Sequence, residues 1–91
     1  MTIYIPEESS EAVKSTLQRE IKRLKQKVSS LDDQLSLYEE KFGFSSNEFI
    51  VKFENGELGD DEVFFEWFAD IETRNRIAQK ITLLVKVKLD E

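Results

Sequence analysis

Apolar residues recur along the first half of the chain at alternating steps of four and three: Leu17, Ile21, Leu24, Val28, Leu31, Leu35, Tyr38 and Phe42. That spacing is a heptad stripe, with Leu17, Leu24, Leu31 and Tyr38 at d and Ile21, Val28, Leu35 and Phe42 at a. Val13 extends the same face one turn earlier. The pattern predicts one amphipathic helix from about residue 8 to about residue 42, roughly 50 Å long. Glu7, Glu8 and Glu11 suit the positive end of its dipole, and Ser9 or Ser10 supplies a cap. Gly43 ends it as a left-handed cap.

Ser45-Ser46-Asn47-Glu48 reads as a capping box, with Ser45 as the cap and Glu48 reaching back. It starts a short helix carrying Phe49, Ile50 and Phe53 on one side, and Asn55-Gly56 stops it. Leu58, between Gly56 and Gly59, is expected to point inward as a plug. Asp60 or Asp61 then caps a third helix. Its apolar positions are Phe64, Trp67, Phe68, Ile71, Ala78, Ile81 and Val85, widened by Ile77 and Leu84. Arg74 falls on that stripe, where its stem can pack while its head reaches water. Leu84 to Leu89 alternates apolar and basic residues. This suits either a helix continuing to about Lys86 or a short strand paired with Ile3 to Ile5, which Pro6 closes. The expected fold is all-α and a single domain over residues 1–91. A long N-terminal coiled-coil helix and a short middle helix lead to a C-terminal helix that folds back as a hairpin, with terminal strands as the alternative for the two ends.

Composition narrows the function. A chain of 91 residues buries a small core, so association with another chain is a natural source of further buried area. There is no cysteine and no histidine, which removes disulfides, thiolate metal sites, the usual general base and the commonest transition-metal ligand. The formal net charge of −6 argues against binding nucleic acid through the whole surface. No apolar run approaches the roughly 18–20 residues that cross a bilayer. Met1 to Pro6 lack the basic and long apolar regions of a signal peptide, so a cytoplasmic protein is expected.

Charge is segregated along the chain. Lys14, Arg19, Lys22, Arg23, Lys25 and Lys27 are opposed only by Glu20; the stretch from Asp32 to Glu72 is acidic; and Arg74 to Lys88 is basic again. Nine of the ten aromatic residues lie between Tyr38 and Phe68. A hairpin therefore brings both basic stretches to one end and the aromatic, acidic stretch to the other. Those aromatics are expected to form the core, with part of the cluster left exposed to a partner, since the consecutive Phe64 and Phe65 cannot enter one groove.

Three arrangements would cover the leucine stripe. One is a parallel dimer, with Ile21 and Val28 at a, leucine at d, and Glu20–Lys25 and Lys27–Asp32 contacts between chains. The second is an antiparallel dimer that lays basic half along acidic half. The third places the C-terminal helix of the same chain in the stripe. The reading taken forward is a homodimer through Leu17, Ile21, Leu24, Val28, Leu31, Leu35 and Tyr38. Phe44, Asp60, Asp61, Phe65, Glu66, Trp67 and Phe68 are the expected contacts to a protein partner.

Tests for chemistry come out negative. Glu54 to Glu62 is rich in carboxylates but does not keep the alternating ligand register, central glycine and terminal glutamate of an EF-hand loop. Ser45 and Ser46 have no histidine to activate them. There is no glycine-rich phosphate loop. The basic stretch 14–27 has no interleaved aromatics for base stacking and reads first as a solvated helix face, with nucleic-acid contact as the functional alternative. No enzyme activity, cofactor, metal or small-molecule substrate is expected.

One block is distinctive. It runs Tyr38-Glu39-Glu40-Lys41-Phe42-Gly43-Phe44-Ser45-Ser46-Asn47-Glu48-Phe49, then Phe53-Glu54-Asn55-Gly56-Glu57-Leu58-Gly59-Asp60-Asp61, then Phe65-Glu66-Trp67. Over about residues 31–72 it resembles a group of small, uncharacterised prokaryotic coiled-coil proteins of archaea and cyanobacteria, often encoded beside small toxins. The resemblance implies an antitoxin-like role, in which an acidic helical protein masks a basic toxin. It brings no catalytic residues. The expected function is a non-enzymatic protein-interaction module; a nucleic-acid-associated factor or a structural adaptor is the alternative.

Overall fold

The three apolar series become three helices. The structure, a computed structural model, describes residues 7–89. Helix α1 spans Glu7–Phe42, α2 spans Ser46–Glu54 and α3 spans Glu62–Leu89. Helix α3 runs unbroken to Leu89, so the alternating segment after Leu84 is helix and not strand. The step-of-three-and-four series continues through Ile81 to Val85, and Leu84 and Val85 are half-buried from helical positions. The proposed strand Thr2 to Ile5 lies outside the described residues. Ser9 and Ser10 lie inside the first turns of α1 rather than before it, so neither is its cap.

The helix ends follow local chemistry. Gly43 takes φ +81°, and its N–H donates to the Glu39 carbonyl at 2.8 Å, closing α1. Gly56 takes φ +70° after α2. Its N–H donates to Phe53 O at 3.2 Å and the Glu57 N–H donates to Lys52 O at 2.9 Å, the paired bonds of a Schellman end. Asp61 precedes α3, and its backbone carbonyl accepts the Phe64 N–H at 3.0 Å, a first-turn bond rather than the side-chain cap expected of Asp60 or Asp61. Leu58 packs against the core, as expected of a plug.

Helix α3 packs antiparallel on α1. The register is fixed by Tyr38 beside Asp70 and Asp32 beside Arg74. Along this contact Ile21, Leu24, Leu35 and Tyr38 of α1 are buried, as are Trp67, Ile71 and Ile77 of α3. Leu17, Val28 and Leu31 are half-buried on the same face. The stripe assigned to self-association is therefore covered by α3 of the same chain, and the hairpin is the arrangement that fills it. The charges assigned to a dimer are also used within the chain. Glu20 pairs with Arg23 at 2.7 Å and Asp32 with Arg74 at 2.8 Å.

The result is a rod of 57 × 25 × 20 Å. Its radius of gyration is 18.7 Å, against about 12 Å for a compact chain of this length. In the observed register α3 ends about level with Leu17, so the first turns of α1 project past it. Val13, on the stripe face of that projection, is 46% exposed. Among the described residues no helix is long and apolar enough to cross a membrane.

Leu24 is 3% exposed and Leu37, on the opposite face of α1, is 60% exposed. Leu24→Ala is expected to destabilise the fold by about 2–5 kcal/mol. Leu37→Ala should stay within about 0.5 kcal/mol of the parent. Urea denaturation followed by circular dichroism checks both; equal effects would mean that α3 does not cover the stripe.

Candidate protein-docking end

The aromatic end is organised around one indole. Trp67 is completely buried, and four rings stack on it. Phe49 lies parallel at 4.0 Å between centroids, Tyr38 at 5.4 Å, Phe44 at 5.5 Å and Phe42 at 5.6 Å. These come from α1, from the turn after it and from α2, so a single side chain of α3 joins every element. The indole N–H donates to Ser46 Oγ at 3.0 Å, which satisfies the one polar atom that burial would otherwise strand.

Polar bonds hold the elements in place around the indole. Glu39 of α1 accepts the Ser46 N–H at 2.6 Å, tying the start of α2 to the end of α1. Ser45 Oγ accepts the Glu48 N–H at 3.1 Å, as a cap should. The return arm differs from expectation, because the Glu48 carboxylate meets the Ser45 hydroxyl at 3.4 Å rather than the backbone N–H. Tyr38 O–H donates to Asp70 Oδ2 at 3.0 Å. Lys41 and Lys52, the two bases among the acids of this end, lie 5.5 Å and 5.7 Å over the rings of Phe42 and Phe44.

Outside this core the aromatics form a lip. Phe53 stacks on Phe68 at 5.0 Å and meets the edge of Phe65 at 5.4 Å. Phe53 and Phe68 are half-buried, and Phe65 is 53% exposed. Asp61, Phe65 and Phe68 follow at steps of four and three, so they share one face at the start of α3. Asp60 and Asp61 are exposed.

The expected partner contacts thus separate into four groups. Phe65 and Phe68 meet Phe53 on the lip, and the exposed Asp60 and Asp61 stand just ahead of α3. Trp67 does not face a partner; it is the centre of the core. Phe44 is half-buried against Trp67 with Lys52 across it, which places it at the edge of the core. Glu66 lies on the other flank of α3, where its charge acts on Tyr38. The consecutive phenylalanines divide as their adjacency demands. Phe64 packs inward on Phe42 at 5.2 Å, and Phe65 points out. Phe53, assigned only to the inner side of α2, is the lip residue that sequence reasoning missed. No sequence signal marked Ser46 as the indole's acceptor, since the two residues are far apart in the chain.

A cleft of about 320 Å³ lies between the helices, lined by Asp32, Leu35, Glu39, Asn47, Ile71 and Arg74 among others. Its charged groups already have partners: Arg74 bonds Asp32, and Glu39 holds the Ser46 N–H. Among the described residues no three acidic side chains converge on a position that would hold a metal ion. At the opposite end, the hydrogen bond from Arg23 holds the Glu20 carboxyl below its ordinary range, helped by the charges of Arg23 and Lys80. No protein-family profile, curated protein or solved structure matches the chain.

Burial is the main cause that raises the Tyr38 hydroxyl above its ordinary pKa of about 10. The Gln34 side chain opposes this, while the Asp70 hydrogen bond and the Asp70 and Glu66 charges add to it. The fold favours the neutral phenol, so this contribution is complete below about pH 10 and is lost as pH rises toward the raised value. Tyr38→Phe should cost about 0.5–1.5 kcal/mol near neutral pH. It should also lessen the fall in stability above about pH 10. Urea midpoints of both proteins across that range test it; equal slopes would show that Tyr38 does not titrate with folding.

Proposed function

We propose that the chain is a protein-interaction module whose acidic, aromatic end docks on a basic protein surface, in the manner of an antitoxin capping a small toxin. The observation that carries this reading is the Phe53–Phe65–Phe68 lip, where Phe65 is the one exposed aromatic among the described residues, with the exposed Asp60 and Asp61 a few residues before it in the chain. Exposed aromatics anchor partners because they bury large area with few rotatable bonds. Between Asp32 and Glu72 thirteen carboxylates face only Lys41 and Lys52, and such a field attracts a cationic partner and speeds encounter. A binding role rather than a catalytic one fits a sequence without histidine or cysteine. The toxin-like identity of the partner rests on the resemblance of residues 31–72. Self-association through the α1 stripe is not part of this reading, because α3 already fills it.

The test is calorimetric titration with the protein encoded by the adjacent gene, together with co-expression of the two. Phe65→Ser and the pair Asp60→Lys, Asp61→Lys should each weaken binding by about tenfold or more. They should also abolish any relief of growth inhibition. A neighbour that does not bind, or variants that bind as well as the parent, would remove the proposal.

A second reading is favoured by the opposite end. Residues 11–31 and 73–89 carry eleven lysines and arginines against Glu11 and Glu20, and the hairpin gathers them. That end would contact phosphates in a nucleic-acid-associated factor. Mobility shift at about 50 mM salt decides it, since phosphate contacts are strongest at low salt and no shift there discards the reading.

A further inference from the structure

We infer that the solvent face of α3 is an antiparallel dimer interface between two copies of this chain. The face turned away from α1 is not uniformly polar. Phe65 is 53% exposed, Leu83 61% and Val87 51%, and exposed Ala69 continues the line. With the exposed Glu72, Arg76 and Lys80 between them, these residues follow one another at steps of three and four, so they form one stripe along the helix.

The stripe is symmetric about Arg76. Phe65 and Val87 are each eleven residues from it, and Ala69 and Leu83 are each seven. A two-fold axis through Arg76, perpendicular to the helix, sets Phe65 against the second copy's Val87 and Ala69 against the second copy's Leu83. The same operation sets Glu72 against the second copy's Lys80, four residues on either side of the axis. Apolar residues therefore meet apolar, and acid meets base, in every layer but the central one. There Arg76 meets its twin, each guanidinium with a Glu72 one helical turn away.

Charge also selects the direction. The antiparallel arrangement lays the acidic end of one rod along the basic end of the other, and a parallel one would set like against like. The stripe from Phe65 to Val87 is about 33 Å long, enough for a modest interface of the kind that dissociates at micromolar concentration. This surface is separate from the α1 stripe. It shares only Phe65 with the docking lip, so failure of one proposal leaves the other standing.

Sedimentation velocity over about 1 to 200 µM protein is the test. A dimer is expected at about 50 mM salt, with the dissociation constant rising about tenfold or more by 500 mM. Leu83→Glu places an acid at an exposed position, so the thermal melt of the monomer should not fall, and dimerisation should weaken by about tenfold or more. Glu72→Lys and Lys80→Glu should each weaken the dimer, and the double substitution should restore it. A chain that stays monomeric at low salt overturns the inference. So does a dimer that survives Leu83→Glu, or a charge swap that does not rescue.

Discussion

The indole of Trp67 can be buried only if α1, α2 and α3 are all in position, because the rings that stack on it come from α1, its following turn and α2, and its hydrogen-bond acceptor, Ser46, opens α2. This makes the aromatic end cooperative. Moving α2 would uncover Phe49 and strand the indole N–H together, and a buried donor without a partner is costly. The Glu39 carboxylate on the Ser46 N–H and the left-handed Gly43 limit how α2 can leave α1. The short helix is thus held by a side chain more than by its own length, since nine residues make a marginal helix in isolation.

The same antiparallel packing converts blocks of charge along the sequence into polarity in space. The basic halves of α1 and α3 converge because the chain reverses once, between Phe42 and Glu62. The acids gather where the chain turns. The lip and the outer face of α3 inherit opposite surroundings from this arrangement. Phe65 stands among carboxylates, whereas Leu83 and Val87 stand among Lys80, Lys86 and Lys88.

Much of the fold was legible in the sequence because its signals are local. Heptad spacing, Gly43, Ser45 and Asn55-Gly56 each act within a turn or two of themselves, and each acts as expected. What covers the leucine stripe was not legible. A twin helix and α3 present the same apolar spacing, and periodicity does not distinguish a neighbour in the chain from one in another molecule. The candidate site was legible in part. Phe65 and Phe68 were grouped with Asp60 and Asp61 as an aromatic and acidic region, and the two phenylalanines do meet Phe53. Trp67 was expected at a partner and is instead fully buried, because the number of aromatics does not say which of them is innermost. Phe53 was missed because its two sides do different work, one against the core and one toward Phe65.

The two ends of the rod are unequally anchored. The buried cluster of Leu35, Tyr38, Phe49, Trp67 and Ile71 lies at the turn, and beyond it only Ile21, Leu24 and Ile77 are buried among the described residues. Local opening starts where least apolar surface must be exposed. The hairpin therefore unzips from its free tips while its hinge stays closed, and backbone amides would exchange with solvent in a gradient along the rod. Recognition at the hinge meets a preformed surface, and anything gripping the tips meets two helices that can still spread.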